Sequence, residues 1–174
     1  ILPIGCNTNN KNKYNNKNNI PVILWNHRWE YDKNPDLFFK ILFELAESNF
    51  QFKLIVVGEK YNDYPKIFDI AKDRLSNQII HFGYCEDYQD YIKYLEMAHI
   101  LPVTSNQDFF GISIVEAVSY GAHPILPKRL SYPELFNDEL NPNIFYNNKS
   151  ELKDKIISSI NNLDLLLEKT KILA

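Results

Sequence analysis

The chain has 174 residues, of which 45% are apolar and 14% aromatic, enough for one sizeable core and one folded domain. A net charge of −3 with no run of Lys and Arg gives this piece no nucleic-acid footprint, and no apolar stretch nears the ~18 residues of a membrane span. The start lacks a signal-peptide layout, and the two cysteines, Cys6 and Cys85, lack metal-ligand spacing, which argues against a disulfide scaffold and for a cytoplasmic, membrane-free protein.

Residues 7 to 19 are mostly Asn and Lys and cannot bury apolar surface, so residues 1 to 19 are expected to form a disordered linker or loop and residues 20 to 174 the folded domain. The first strand is expected near 22 to 26, in Val22-Ile-Leu-Trp25. After it come two cations five positions apart, Arg28 and Lys33, in a loop that ends at Asn34, a good N-cap, and Pro35, which suits the first helical position. Leu37, Phe38, Ile41, Leu42 and Leu45 then form one apolar stripe, predicting a helix over 35 to 48. A second strand near 52 to 58 ends in Gly58-Glu59 and precedes a helix near 65 to 75. The third strand, near 79 to 82, runs into His81-Phe-Gly-Tyr84. In the helix expected over 88 to 98, Tyr88, Tyr91, Ile92 and Leu95 repeat at helical spacing and read as core or half-buried surface, as do Trp25 and Trp29.

The fourth strand, near 100 to 104, leads into Asp108-Phe-Phe-Gly-Ile-Ser-Ile-Val-Glu116, two carboxylates eight positions apart across a glycine that opens a helix over 111 to 120. A strand near 123 to 126, a short helix near 132 to 137 and a strand near 143 to 146 follow. The last helix is expected over 150 to 168 with Ser150 as its N-cap, a better use of Asn148-Lys149-Ser150 than a glycosylation sequon.

Alternating strands and helices indicate right-handed βαβ units and an α/β fold, a doubly wound parallel sheet covered on both faces. With strand order 3-2-1-4-5-6, strands one and four are neighbours and ligands bind in the crevice at their carboxyl ends. Both charged clusters then meet there. No G-x-G-x-x-G or P-loop is present, which disfavours NAD and ATP chemistry. A diphosphate would instead be neutralised by Arg28 and by Lys33 as a mobile point charge, and held at Phe110-Gly111 by the unpaired amides of Ile112 and Ser113. Glu116 suits a ribose diol, Asp108 a sugar's hydroxyls, and the loops of Gly58, His81 and Tyr84 a base.

Singly, each of these residues has an ordinary explanation: solvated surface charges for Arg28 and Lys33, a dipole-complementing carboxylate for Glu116, a turn for Gly111. Their convergence at a switch point is what favours a binding site. His27, His81, His99 and His123 show no H-x-x-x-H pairing and no Asp-x-Asp occurs, so no metal is expected. His27 reads as packing ahead of ligand contact, and Ser105 lacks partners for a hydrolytic triad.

These residues resemble the donor-binding C-terminal domain of the retaining GT-B glycosyltransferases, whose members carry a Glu, seven intervening residues and a second Glu, plus an Arg and Lys after the domain's first strand. The resemblance covers nearly all the chain after the Asn-rich stretch and includes Gly121-Ala-His-Pro124 and Tyr132-Pro-Glu134. It implies a Rossmann-like half of a GT-B fold, with Arg28, Lys33, Asp108 and Glu116 as catalytic residues and no metal or other cofactor. Ile23-Leu-Trp-Asn-His-Arg-Trp-Glu-Tyr-Asp-Lys-Asn-Pro35, Val56-Val-Gly-Glu59, His81-Phe-Gly-Tyr84 and Asp108-Phe-Phe-Gly111 look most like members that act on a modified tRNA nucleoside. That implies transfer of mannose from GDP-mannose to queuosine in tRNA, with the acceptor held by an N-terminal domain that this chain lacks and the isolated domain inactive. Ile1-Leu-Pro-Ile-Gly5 resembles the exit from such a domain. Two departures stand out: Asp108 replaces the usual Glu, and His99 stands where relatives carry an acid. The alternatives are another nucleotide sugar with a glycan, lipid or small-molecule acceptor, and a non-catalytic nucleotide-sugar-binding module.

Overall fold

Strands β1 (Val22–Trp25), β2 (Lys53–Val57), β3 (Ile79–Gly83), β4 (Ile100–Pro102), β5 (His123–Pro127) and β6 (Phe145–Tyr146) pair in parallel as one sheet, in the order β3-β2-β1-β4-β5-β6. The structure, a computed structural model, describes residues 20–173, so the expected linker over residues 1 to 19 lies outside the described residues. Central strand β1 is flanked by β2 and β4, with Ile23 opposite both Leu54 and Ile100.

Burial on both faces explains why β1 is a continuous apolar run rather than an alternating one. Ile23 and Trp25 enter one core, with Phe38, Phe39, Ile41 and Leu42 of helix α1 (Pro35–Glu47) and Phe68 of α2 (Ile67–Arg74). Val22 and Leu24 enter the other, with Leu95 of α3 (Tyr88–Met97) and Ile114, Ala117 and Val118 of α4 (Ile112–Ser119). The period-2 alternation of the strand thus feeds two layers of helices.

The start of α1 is as expected: Pro35 is its first residue, and the Asn34 side chain accepts from the Leu37 amide at 3.4 Å. Asn34 itself is left-handed, at φ 52°, a conformation that asparagine tolerates better than most residues. After the four-residue helix α5 (Tyr132–Leu135), the C-terminal part differs from expectation in two ways. The N-cap of α6 (Lys149–Asn161) is Asn148, not Ser150: Asn148 Oδ1 accepts from the Glu151 amide at 3.0 Å, and Glu151 Oε1 accepts from Asn148 Nδ2 at 2.9 Å. This reciprocal pair satisfies more of the helix start than Ser150 would, and Ser150 lies exposed within the first turn. Second, the expected single helix is two, because Asn162 Nδ2 donates to the Ser158 carbonyl at 3.0 Å and the backbone leaves the helix before α7 (Leu163–Leu173). Among the described residues no helix is long and apolar enough to cross a membrane.

Candidate functional site

The crevice begins with the way the β1–α1 loop is anchored. Trp29 is buried and stacks on Phe68 at 4.2 Å between ring centres, and its amide donates to Glu59 O at 2.9 Å. Trp25 Nε1 donates to the His27 carbonyl at 2.8 Å. With the residues on either side fixed in the aromatic core, Arg28 projects outward from a rigid base. Its guanidinium is exposed and pairs with Glu30 at 3.2 Å. A hydrogen bond to the Tyr61 oxygen raises its pKa further above the ordinary arginine value, so it stays charged.

Lys33 behaves differently from the mobile charge expected of a loop lysine. It is buried, closes a 3-10 turn (Tyr31–Lys33), and donates through Nζ to the Gln107 carbonyl at 2.7 Å while pairing with Asp32 at 3.2 Å. Around it the β1–α1 loop is stitched to the loop after β4. Thr104 Oγ1 donates to Lys33 O at 2.8 Å, and the Asn106 amide donates to Asp32 O at 2.7 Å. Arg129, which the sequence reading passed over, buttresses the same loop through the Ser105 carbonyl at 2.9 Å. The two charged clusters therefore meet, through bonds that tie one loop to the other.

Gly111 precedes α4 in the left-handed region at φ 60°, where its missing side chain avoids strain. Its amide donates to Asp108 Oδ1 at 3.1 Å, and Tyr132 donates to Asp108 Oδ2 at 2.9 Å. Asp108 thus shapes the helix entrance, and each oxygen retains a further lone pair for a ligand. Ile112 and Ser113 open the helix, where no intrahelical carbonyl is available to their amides. Ser113 is bonded back to β1's end: Asn26 Nδ2 donates to its carbonyl at 2.7 Å, and its hydroxyl lies 3.4 Å from His27 Nδ1. Phe110, beside the glycine, is exposed.

Against this seam lies a cavity of about 330 Å³, the size of a small-molecule site. Asn26, His27 and Arg28 line it from the loop after β1, Gly58 and Glu59 from the loop after β2, and Tyr84, Cys85 and Glu86 from the loop after β3. Tyr88 and Tyr91 of α3 complete the wall, and their hydroxyls donate to Glu116 at 3.1 and 2.9 Å. Their helical spacing did suggest a packing stripe, yet two of its members face the crevice. Of the residues expected to meet a base, Gly58 and Tyr84 line the cavity. His81 does not: its ring stacks on Tyr94 at 4.4 Å, and its Nε2 lies 3.2 Å from the Gly83 carbonyl.

His27 is buried, and loss of hydration, partly offset by Asp108, lowers its pKa to about 4. Its folded pKa lies below the unfolded value of 6.5, so it contributes stability above pH 6.5 that is lost as the pH falls toward 4. Between pH 7 and 4 the protein should lose on the order of 3 kcal/mol more stability than a His27→Gln variant, measured by urea unfolding.

An open parallel sheet with cations, a glycine-led helix start and an acidic residue around one switch-point crevice makes this a Rossmann-like α/β domain. Residues 7–171 match the family of glycosyl transferases group 1, and the chain belongs to that family. It is 36% identical over 134 residues to tRNA-queuosine alpha-mannosyltransferase of Drosophila melanogaster, covering 77% of this chain and 34% of that protein. The chain thus spans about a third of that relative's length. Solved structures share the fold. The C-terminal domain of a glycosyl transferase group 1 family protein from Francisella tularensis is 18% identical with a TM-score of 0.67, over 87% of this chain and 82% of that one. Anabaena HepE, solved in complex with UDP, is 21% identical with a TM-score of 0.67, over 88% of this chain and 42% of that one. The Rossmann-like sheet is that of the GT-B glycosyltransferases.

Proposed function

We propose that this domain binds the nucleotide-sugar donor of a retaining mannosyltransferase, with GDP-mannose as donor and queuosine in tRNA as acceptor. The observation that carries the donor reading is the seam of Asn26 and His27 on Ser113, which brings the Arg28 corner to the glycine-led start of α4. The choice of mannose and of a tRNA acceptor rests on the identity to the Drosophila relative.

In this reading Arg28 and the Ile112 and Ser113 amides oppose the charge that grows on the departing diphosphate, and no metal is needed. Lys33 adds its charge from below while fixing the loop that carries Asp108. Asp108 orients the sugar through its remaining lone pairs, Glu116 accepts the ribose hydroxyls, and the β2 and β3 loops hold the base. The acceptor is held by a domain outside these 174 residues, and that domain supplies whatever basic surface a tRNA requires. Such an acceptor places the reaction in the cytoplasm.

The test is sugar transfer by the complete polypeptide, with GDP-mannose and UDP-glucose each offered to tRNA with and without queuosine. Mannosylation that depends on both GDP-mannose and queuosine is expected. Transfer from UDP-glucose, or to a glycan, would move the chain to another branch of the family, and nucleotide binding without any transfer would make it a binding module.

A further inference from the structure

Two helices meet at one carboxylate. Glu116, on α4, accepts from Tyr91 through Oε2 and from Tyr88 through Oε1, both tyrosines being on α3. Asn26, just after β1, donates to the Ser113 carbonyl at 2.7 Å, which holds the start of α4 against the sheet. The single phenolic proton of Tyr91 is donated to Glu116. Burial, reinforced by the Glu116 charge, raises the Tyr91 pKa, so the phenol remains a donor throughout the working range.

A carboxylate offers about four lone-pair sites, and the two phenols occupy one on each oxygen. An unheld Glu side chain rotates and presents its free sites in many directions, whereas one pinned at both oxygens presents them in a single plane. A vicinal diol needs two acceptors side by side in that way. Both tyrosines also line the cavity, so they join this carboxylate to the cavity wall.

We infer that Tyr91, assisted by Tyr88, is a positioning residue that sets the plane of Glu116 for the ribose diol of the bound nucleotide. This rests on the reading of Glu116 as the nucleoside carboxylate. A purely packing role for Tyr91 would tie α3 to α4 and weaken every ligand alike. A positioning role changes one ratio, the preference for a ribonucleotide over its dideoxy counterpart.

The experiment is calorimetric titration of the complete polypeptide with GDP and UDP, each beside its 2′,3′-dideoxy form, in wild type, Tyr91→Phe and Glu116→Ala. Whichever base binds, wild type should prefer the ribonucleotide by roughly tenfold or more, the effect of hydrogen bonds to a charged acceptor. Tyr91→Phe should reduce that preference to about threefold or less while leaving dideoxynucleotide affinity within about twofold of wild type. Retention of the full preference in Tyr91→Phe, or an equal loss for both nucleotides, would overturn the inference. Retention of it in Glu116→Ala would instead overturn the underlying assignment of Glu116, so the two failures are distinguishable.

Discussion

Replacing Lys33 with methionine in the complete polypeptide is expected to lower sugar transfer by about 10²- to 10³-fold, the usual cost of removing one charge-stabilising group from a transfer site. Methionine preserves the length and apolar stem of lysine, so packing changes little. What is lost is the ammonium, with its bond to the Gln107 carbonyl and its pairing with Asp32. Asp32 would keep its charge without a partner beside a loop that its own carbonyl helps to hold. Stability should therefore fall as well, by about 1 to 3 kcal/mol, less than for a fully buried pair because Asp32 is partly exposed. Lys33→Arg should recover little, because a planar guanidinium does not fit a site built around a compact ammonium. Steady-state transfer rates and urea unfolding check both effects, and near-normal turnover in Lys33→Met would remove Lys33 from the mechanism.

Gly58→Ala should be the most destabilising small change in the crevice. A Cβ at this position would collide with the His27 carbonyl and lie 3.2 Å from Trp29 Cδ1. Neither neighbour can yield cheaply. The His27 carbonyl is fixed by the Trp25 indole, and Trp29 is stacked in the core. Moving β2 away from the β1–α1 loop would break the bond from the Trp29 amide to Glu59 and shift Arg28. A loss of about 3 kcal/mol is expected, or roughly 10 °C in Tm for a domain of this size. Nucleotide affinity should drop with it. An alanine variant with wild-type stability would show that this loop moves freely.

Most of the fold was legible because its signals are local and agree with one another. Val22-Ile-Leu-Trp25 is too uniformly apolar for an exposed strand, Asn34-Pro35 marks a helix start, and Gly111 and Gly121 bracket the fourth helix. The expected strand order is the one common in such doubly wound sheets, and the observed order is the same. The convergence of the Arg28–Lys33 loop with Asp108–Glu116 was legible for the same reason, since topology alone places both at one crevice.

What escaped reading depends on side-chain direction or on competition between near-equivalent residues. Lys33 looked like a solvated loop cation, and only the fold of the β4–α4 loop over it makes it buried. Tyr88 and Tyr91 carry the helical period of a packing stripe, and the same period results whether the stripe meets a core or lines a cavity. Asn148 and Ser150 are both competent caps, and the choice turned on whether Glu151 could reach back. His81 sits on a strand that reaches the crevice, but its ring is turned toward Tyr94. Asn26, which ties the end of β1 to α4, belongs to no motif in the chain.

A crystal structure of the complete polypeptide with its nucleotide-sugar donor tests the central claim most directly. The diphosphate should lie between Arg28 and the amides of Ile112 and Ser113, with the ribose hydroxyls on Glu116. A nucleotide bound on the opposite edge of the sheet, or one whose phosphates contact neither Arg28 nor the start of α4, would contradict the account.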